Sequence, residues 1–236
     1  MNPLIPRSLY YSNTNTNMKT AILLHAIGLA ALPLANAIPL STLHHGSIAQ
    51  QVNISAQQIE AIAPSSKSCA NVDVPDECAT AQQAAPNIAK AFQTYKVTSP
   101  AEQAAVIGLI AFESVDFRYN RNKYPGVKGQ GTRNMQSPAF NKKYAESIPA
   151  LAEKLAPVAD DSGKVLDLLL ADERYDFASG AWFLTTQCTD AVRKQLQSGS
   201  EAGWRQYITD CVGTDANEDR KAYWQRAVQA LGVKTA

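Results

Sequence analysis

Residues Ala104 to Phe112 read Ala-Ala-Val-Ile-Gly-Leu-Ile-Ala-Phe, apolar at every position. Just ahead of them, Ser99 is a good N-cap, Pro100 suits the first helical position, and Glu102 completes an S-x-x-E capping box. The run therefore reads as a helix that begins at Pro100. A helix with no polar stripe has to be buried on every side, so the rest of the chain must wrap around it.

The segments available for wrapping are themselves helical in pattern. Ala81 to Tyr95 has apolar residues at helical spacing, with Pro86 in its first half, and a start near Ala85 is expected. Ser137-Pro138 opens another helix, and helical patterns recur at 148–157, 162–171, 175–188, 200–211 and 217–231. No run of alternating β-branched residues is convincing. The fold class predicted is all-α or mainly α. Between the helices lies Ser114 to Ser137, rich in Gly, Asn and Arg, which reads as a long polar loop with room for a small hairpin. Long ordered loops in compact domains are usually functional.

Three segments are expected along the chain. Residues 1–37 read as a signal peptide with an upstream extension: Met18-Lys19-Thr20 opens the nearly apolar run Ala21–Ala37, which closes in the small-x-small signature Ala35-Asn36-Ala37. That run is shorter than the ~20 apolar residues of a membrane span and is broken by His25, Pro33 and Asn36. Residues 38–66, rich in Ser, Gln, Ala and Ile without a sustained period, are expected to be a polar arm or pro-segment. Asn53-Ile54-Ser55 in this arm is a glycosylation sequon. Residues 67–236 are expected to form one helical domain, secreted, monomeric and free of the membrane once the leader is removed.

Charge and cysteines narrow the function. Of 22 Lys and Arg against 21 Asp and Glu, only Arg7 and Lys19 fall in the leader, leaving 20 against 21 and a net charge of −1. Such a balance gives no reason to expect nucleic acid or an anionic membrane as partner. All four cysteines, Cys69, Cys78, Cys188 and Cys211, follow the leader, and an even count in an exported chain predicts two disulfides. The pairing Cys69–Cys78 and Cys188–Cys211 is favoured because each closes a short local loop. A metal site has no support, since there is no CxxC and no histidine nearby.

The histidines also exclude chemistry. His25 lies in the leader and His44 and His45 in the arm, so residues 67–236 hold none. Ser-His-Asp and Cys-His mechanisms are thereby removed, and the absence of paired aspartate motifs disfavours a protease. Gly126, Gly129 and Gly131 match neither GxGxxG nor a P-loop, and no cofactor is expected.

Carboxylate chemistry remains, and Glu113 is its best candidate. It ends the apolar helix in Ile110-Ala111-Phe112-Glu113-Ser114, where apolar surroundings and the negative end of the helix dipole both favour its protonated form. A general acid needs that proton near neutral pH. The structural alternative is a Glu paired with a buried arginine such as Arg133.

Glu113-Ser114 at a helix end, a polar loop closing in Gly129-Gln130-Gly131-Thr132-Arg133-Asn134-Met135-Gln136, and the later stretch Tyr175 to Leu184 together resemble the goose-type lysozyme and soluble lytic transglycosylase group. There, a Glu-Ser helix end is followed by Gly-Leu-Met-Gln and then by a Gly-Ala-x-Tyr-Leu helix. The overall arrangement also resembles secreted fungal proteins with a lysozyme-like domain. The resemblance covers roughly residues 100–190. It departs in Thr-Arg-Asn-Met-Gln and in the lack of a second catalytic carboxylate in the loop.

The resemblance implies a polymer of N-acetylated hexosamines, of the peptidoglycan or chitin type, as substrate. Glu113 is then the general acid, and the substrate's own acetamido group stabilises the developing positive charge. Asn134 and Gln136 are candidates to bind the acetamido group or ring hydroxyls, and Tyr119 and Tyr124 to stack on sugar faces. Asp116 is the only other acid between Glu113 and Glu146 and would share the cleft or cap the helix. Trp182 and Phe183 are expected in the core, and Arg133 is expected to hold the loop. The competing class is a secreted wall-binding or host-interaction protein without catalysis on the same scaffold.

Overall fold

The computed structural model describes residues 53–234; the expected leader, His44 and His45 lie outside the described residues. Ten α-helices occur among the described residues: α1 (Ala56–Ile62), α2 (Ala81–Thr94), α3 (Pro100–Glu113), α4 (Pro138–Glu146), α5 (Ala152–Leu155), α6 (Ser162–Leu170), α7 (Glu173–Gln187), α8 (Asp190–Leu196), α9 (Glu201–Gln206) and α10 (Glu218–Ala230). The protein is mainly helical, as its periodicity predicts. No sheet forms among these residues; the loop holds only the isolated bridges Arg121–Gly131 and Gly131–Gln136.

The apolar helix is the axis. Every residue of α3 from Ala101 to Ala111 is buried, and α10, α7, α8 and α1 pack around it. Its start differs from expectation in one respect. Pro100 is the first helical residue, but Ser99 makes no side-chain cap. Glu102, 1% exposed, turns to Arg193 on α8 at 2.8 Å. A carboxylate that deeply buried needs a charged partner more than a cap needs a second bond.

Two further expectations are corrected. The helix expected from Ala85 begins at Ala81, because Thr80 and Gln83 form a complete capping box there. Pro86 is carried inside α2, at the cost of one backbone hydrogen bond. The supposed arm also belongs to the fold from Ile54 onward. Ser55 and Gln58 cap α1 reciprocally, and α1 sets Ile59 and Ile62, both fully buried, against α10 and α2. Two apolar anchors on a seven-residue helix are too few to give a visible period. Asn53 stays exposed, while the Ser55 hydroxyl of its sequon serves as the N-cap.

Two disulfides join Cys69 to Cys78 and Cys188 to Cys211, the pairing favoured from loop length. α8 lies between two expected helices, at 175–188 and 200–211, and adds to them. α9 runs on into a π-helical segment, Tyr207–Val212, which ends at Gly213 with φ +76°. No helix among the described residues is long and apolar enough to cross a membrane.

Candidate active site

Glu113 is the last residue of α3, and the backbone after it is forced into an unusual course. Val115, Asp116 and Phe117 have φ of +52°, +56° and +63°. A left-handed turn of three non-glycine residues costs on the order of 1–2 kcal/mol per residue and persists only where its surroundings impose it. They do so here. Ser114 Oγ donates to Ile110 O and accepts from Phe117 N. Phe117 is fully buried against the edge of Phe177, and its carbonyl accepts from Ala79 N and from Arg133 Nη1.

This turn decides the place of Asp116. Its carboxylate points out of the cleft, accepting from Ser65 N at 2.8 Å and from the Tyr223 hydroxyl at 2.7 Å. Asp116 lines neither cavity at Glu113 and does not share the cleft with it. It ties the turn to α10 and to the segment after α1.

Arg133 holds the loop, as expected. Its guanidinium meets Asp176 of α7 at 2.9 Å, with the two side chains 3% and 2% exposed. Arg133 N and Asn120 Nδ2 also donate to the Asp176 carboxylate. Burial pushes the Asp176 carboxyl above its ordinary range, and Arg133 opposes that shift. Gly131 lets the loop fold against itself, since a Cβ there would stand 2.5 Å from Asn120 O.

Two cavities, of about 650 and 300 Å³, share three lining residues: Glu113, Gln130 and Met135. Glu113 therefore stands where they adjoin. Tyr119 and Tyr124 line the larger one, Tyr124 being 92% exposed. Asn134 and Gln136 line the smaller one with Phe183, which is otherwise part of the core as expected. Trp182 is wholly core and lines neither.

The two amides leave a particular pair of atoms unused. Asn134 Nδ2 donates to Gln136 Oε1 at 3.3 Å, whereas Asn134 Oδ1 and Gln136 Nε2 are buried without a partner among the described residues. Both atoms are shut off from solvent, and Asn134 Oδ1 lies on the side of Gly180 in α7, 3.5 Å from where a Cβ there would stand. Buried polar atoms are rarely left unpaired.

The partner of Glu113 is Arg220, at 2.9 Å, and not Arg133. Burial raises the Glu113 pKa, and the charge and hydrogen bonds of Arg220 offset only part of that rise. The carboxyl thus holds its proton to higher pH than a free Glu. Sequence reasoning missed Arg220, which lies 107 residues away, and also Asp73, which lines the larger cavity from within the Cys69–Cys78 ring. Asp73 accepts from the Tyr119 hydroxyl at 3.0 Å. Neither carries a local signal.

No family model matches the chain. A bifunctional dioxygenase–epoxy alcohol synthase of Fusarium oxysporum (strain Fo5176) is 48% identical over 158 residues, covering 64% of this chain. The chain spans 12% of the length of that curated relative.

Proposed function

We propose that the chain is a secreted glycan-cleaving enzyme acting on a polymer of N-acetylated hexosamines, with Glu113 as general acid. The observation that carries this reading is a carboxyl of raised pKa set where two cavities adjoin, so that a linear substrate lying through both has a bond beside it. The resemblance of the Glu113-Ser114 and Asn134-Met135-Gln136 stretches to lysozyme-like enzymes supports the same assignment. Asn134 and Gln136 line the smaller cavity, and their side-chain amides can both donate and accept, which suits a secondary amide offering one N–H and one C=O. An acetamido group is such an amide, whereas the free amine of a deacetylated sugar offers no acceptor when protonated. Two disulfides fit an oxidising, extracellular setting.

In this reaction Glu113 protonates the glycosidic oxygen, the bond to the leaving sugar breaks, and an oxocarbenium-like centre develops. The acetamido group of the substrate stabilises that centre. Water or a sugar hydroxyl then adds, its proton returning to Glu113. The comparison that tests the reading is product release from matched N-acetylated and de-N-acetylated oligosaccharides. Cleavage of the N-acetylated series alone supports it, and equal cleavage of both removes the role given to Asn134 and Gln136.

A non-catalytic binding protein is the second reading, favoured by the ion pair of Glu113 with Arg220, which is also how a purely structural glutamate is held. The activities named for the Fusarium protein belong to a chain of which the matched stretch is a small part.

A further inference from the structure

Nε and Nη2 form the flat edge of an arginine, which ordinarily grips a carboxylate with one N–H to each oxygen. Arg220 does otherwise. Both groups donate to Oε1 of Glu113, at 3.1 and 2.9 Å, and no donor among the described residues is bonded to Oε2. The guanidinium is itself fixed. Its Nη1 donates to Asp215 O at 3.1 Å, and its plane lies over the Phe112 ring at 4.6 Å. Its backbone N–H is taken by Asn217, the N-cap of α10.

We infer that Arg220 is a positioning residue for proton transfer, holding Glu113 by Oε1 alone and leaving Oε2 as the atom that delivers the proton. This rests on the glycan-cleaving reading. A carboxyl protonated on Oε2 keeps Oε1 as a carbonyl-type acceptor, so the clamp survives in both protonation states. A grip on both oxygens would lose a bond on protonation and would hold the group ionised. When the Oε2–H bond breaks and the proton passes to the glycosidic oxygen, that oxygen leaves with the electron pair of its bond to the anomeric carbon. The charge left on Glu113 then already faces a fixed guanidinium, with no reorganisation required.

The other ionisable groups around Glu113 are few. Burial raises the pKa of Tyr207, from the π-helical segment, and the charges of Glu102 and then Glu113 add to the rise. Asp73, Tyr119, Arg121, Lys123 and Tyr124 line the larger cavity. Lys123 is paired with Glu77, and Arg121 with Asp167.

The test is the titration of Glu113 in protein labelled with ¹³C at glutamate side-chain carboxyls, the signal being assigned by its loss in Glu113→Gln. In Arg220→Gln the midpoint moves up by about one pH unit or more, the size expected for removal of an adjacent opposite charge. The falling limb of the activity profile moves with it. Arg220→Lys keeps the charge and loses the planar edge, so kcat falls on the order of tenfold while KM holds. An unmoved midpoint in Arg220→Gln overturns the inference, as does full kcat in Arg220→Lys. Should the wild type release no sugar, the glycan reading fails, while the titration still decides whether Arg220 governs the Glu113 proton. Thermal melts of both variants show whether the fold is retained.

Discussion

Gly108 on α3 faces the backbone of Trp224 on α10 so closely that a Cβ would stand 3.0 Å from Trp224 N and Cα. The two helices meet there with no side chain between them. From that contact α3 runs on to Glu113 while α10 runs back to Arg220, so the close approach sets the distance at which the pair meets. Gly108→Ala is predicted to push the helices apart by a few tenths of an ångström and to cost about 1–3 kcal/mol, as overpacking does. Urea melts measure the loss. A further consequence is a higher Glu113 titration midpoint, as Arg220 draws back.

Asp176 and Arg133 form a buried pair, so removing one leaves the other charged and unpaired. Asp176→Ala is predicted to cost about 3–5 kcal/mol and to release the loop wall that carries Asn134 and Gln136. Chemical denaturation gives the first figure. Increased proteolysis within 118–136 checks the second.

Glu113 makes stability depend on pH with a definite sign. Its pKa is raised in the folded state, so the native chain binds this proton more tightly than the unfolded chain does. Stability is then lost as pH rises from the ordinary glutamate range through the raised value. Glu113→Gln keeps an acceptor for Arg220 and removes the titration. Relative to wild type, its melting temperature is predicted to gain with pH across that window and to hold level above it. A constant difference across the window would contradict the assignment.

The Cys188–Cys211 bond anchors the segment that supplies Val212, Thr214 and Arg220 to the smaller cavity. Replacing both cysteines with serine is predicted to cost about 3 kcal/mol from loop closure. Activity should fall further than stability alone accounts for, measured at a temperature where the variant remains folded. Loss of the Cys69–Cys78 bond should loosen Asp73 and the wall of the larger cavity instead.

What was legible in the sequence was local. An all-apolar run before Glu-Ser announced a buried helix with a carboxyl at its end, and loop length alone favoured the right disulfides. All but one of the failures came from contacts distant along the chain; the start of α2 was set locally. Glu102 fitted a capping box on paper, but Arg193 claimed it. Asp116 sat one turn from Glu113 in sequence, yet the left-handed turn at 115–117 swung it to Tyr223. Pro86 argued for a late start to α2, while the capping box at Thr80 and Gln83 set an earlier one. Ile59 and Ile62 looked like stray apolar residues in a polar arm until α10 and α2 supplied their other side. Arg220 had nothing nearby to mark it.

The role proposed for Glu113 is that of a general acid in a glycan cleft. It is tested most directly by sugar release from peptidoglycan, chitin and chitosan, with wild type and Glu113→Gln assayed side by side. The wild type is expected to release sugar from an N-acetylated polymer and the variant to lose at least about 10²-fold of that activity, with both proteins equally folded. Release that survives Glu113→Gln, or none from any polymer by a folded wild type with both disulfides closed, would contradict it.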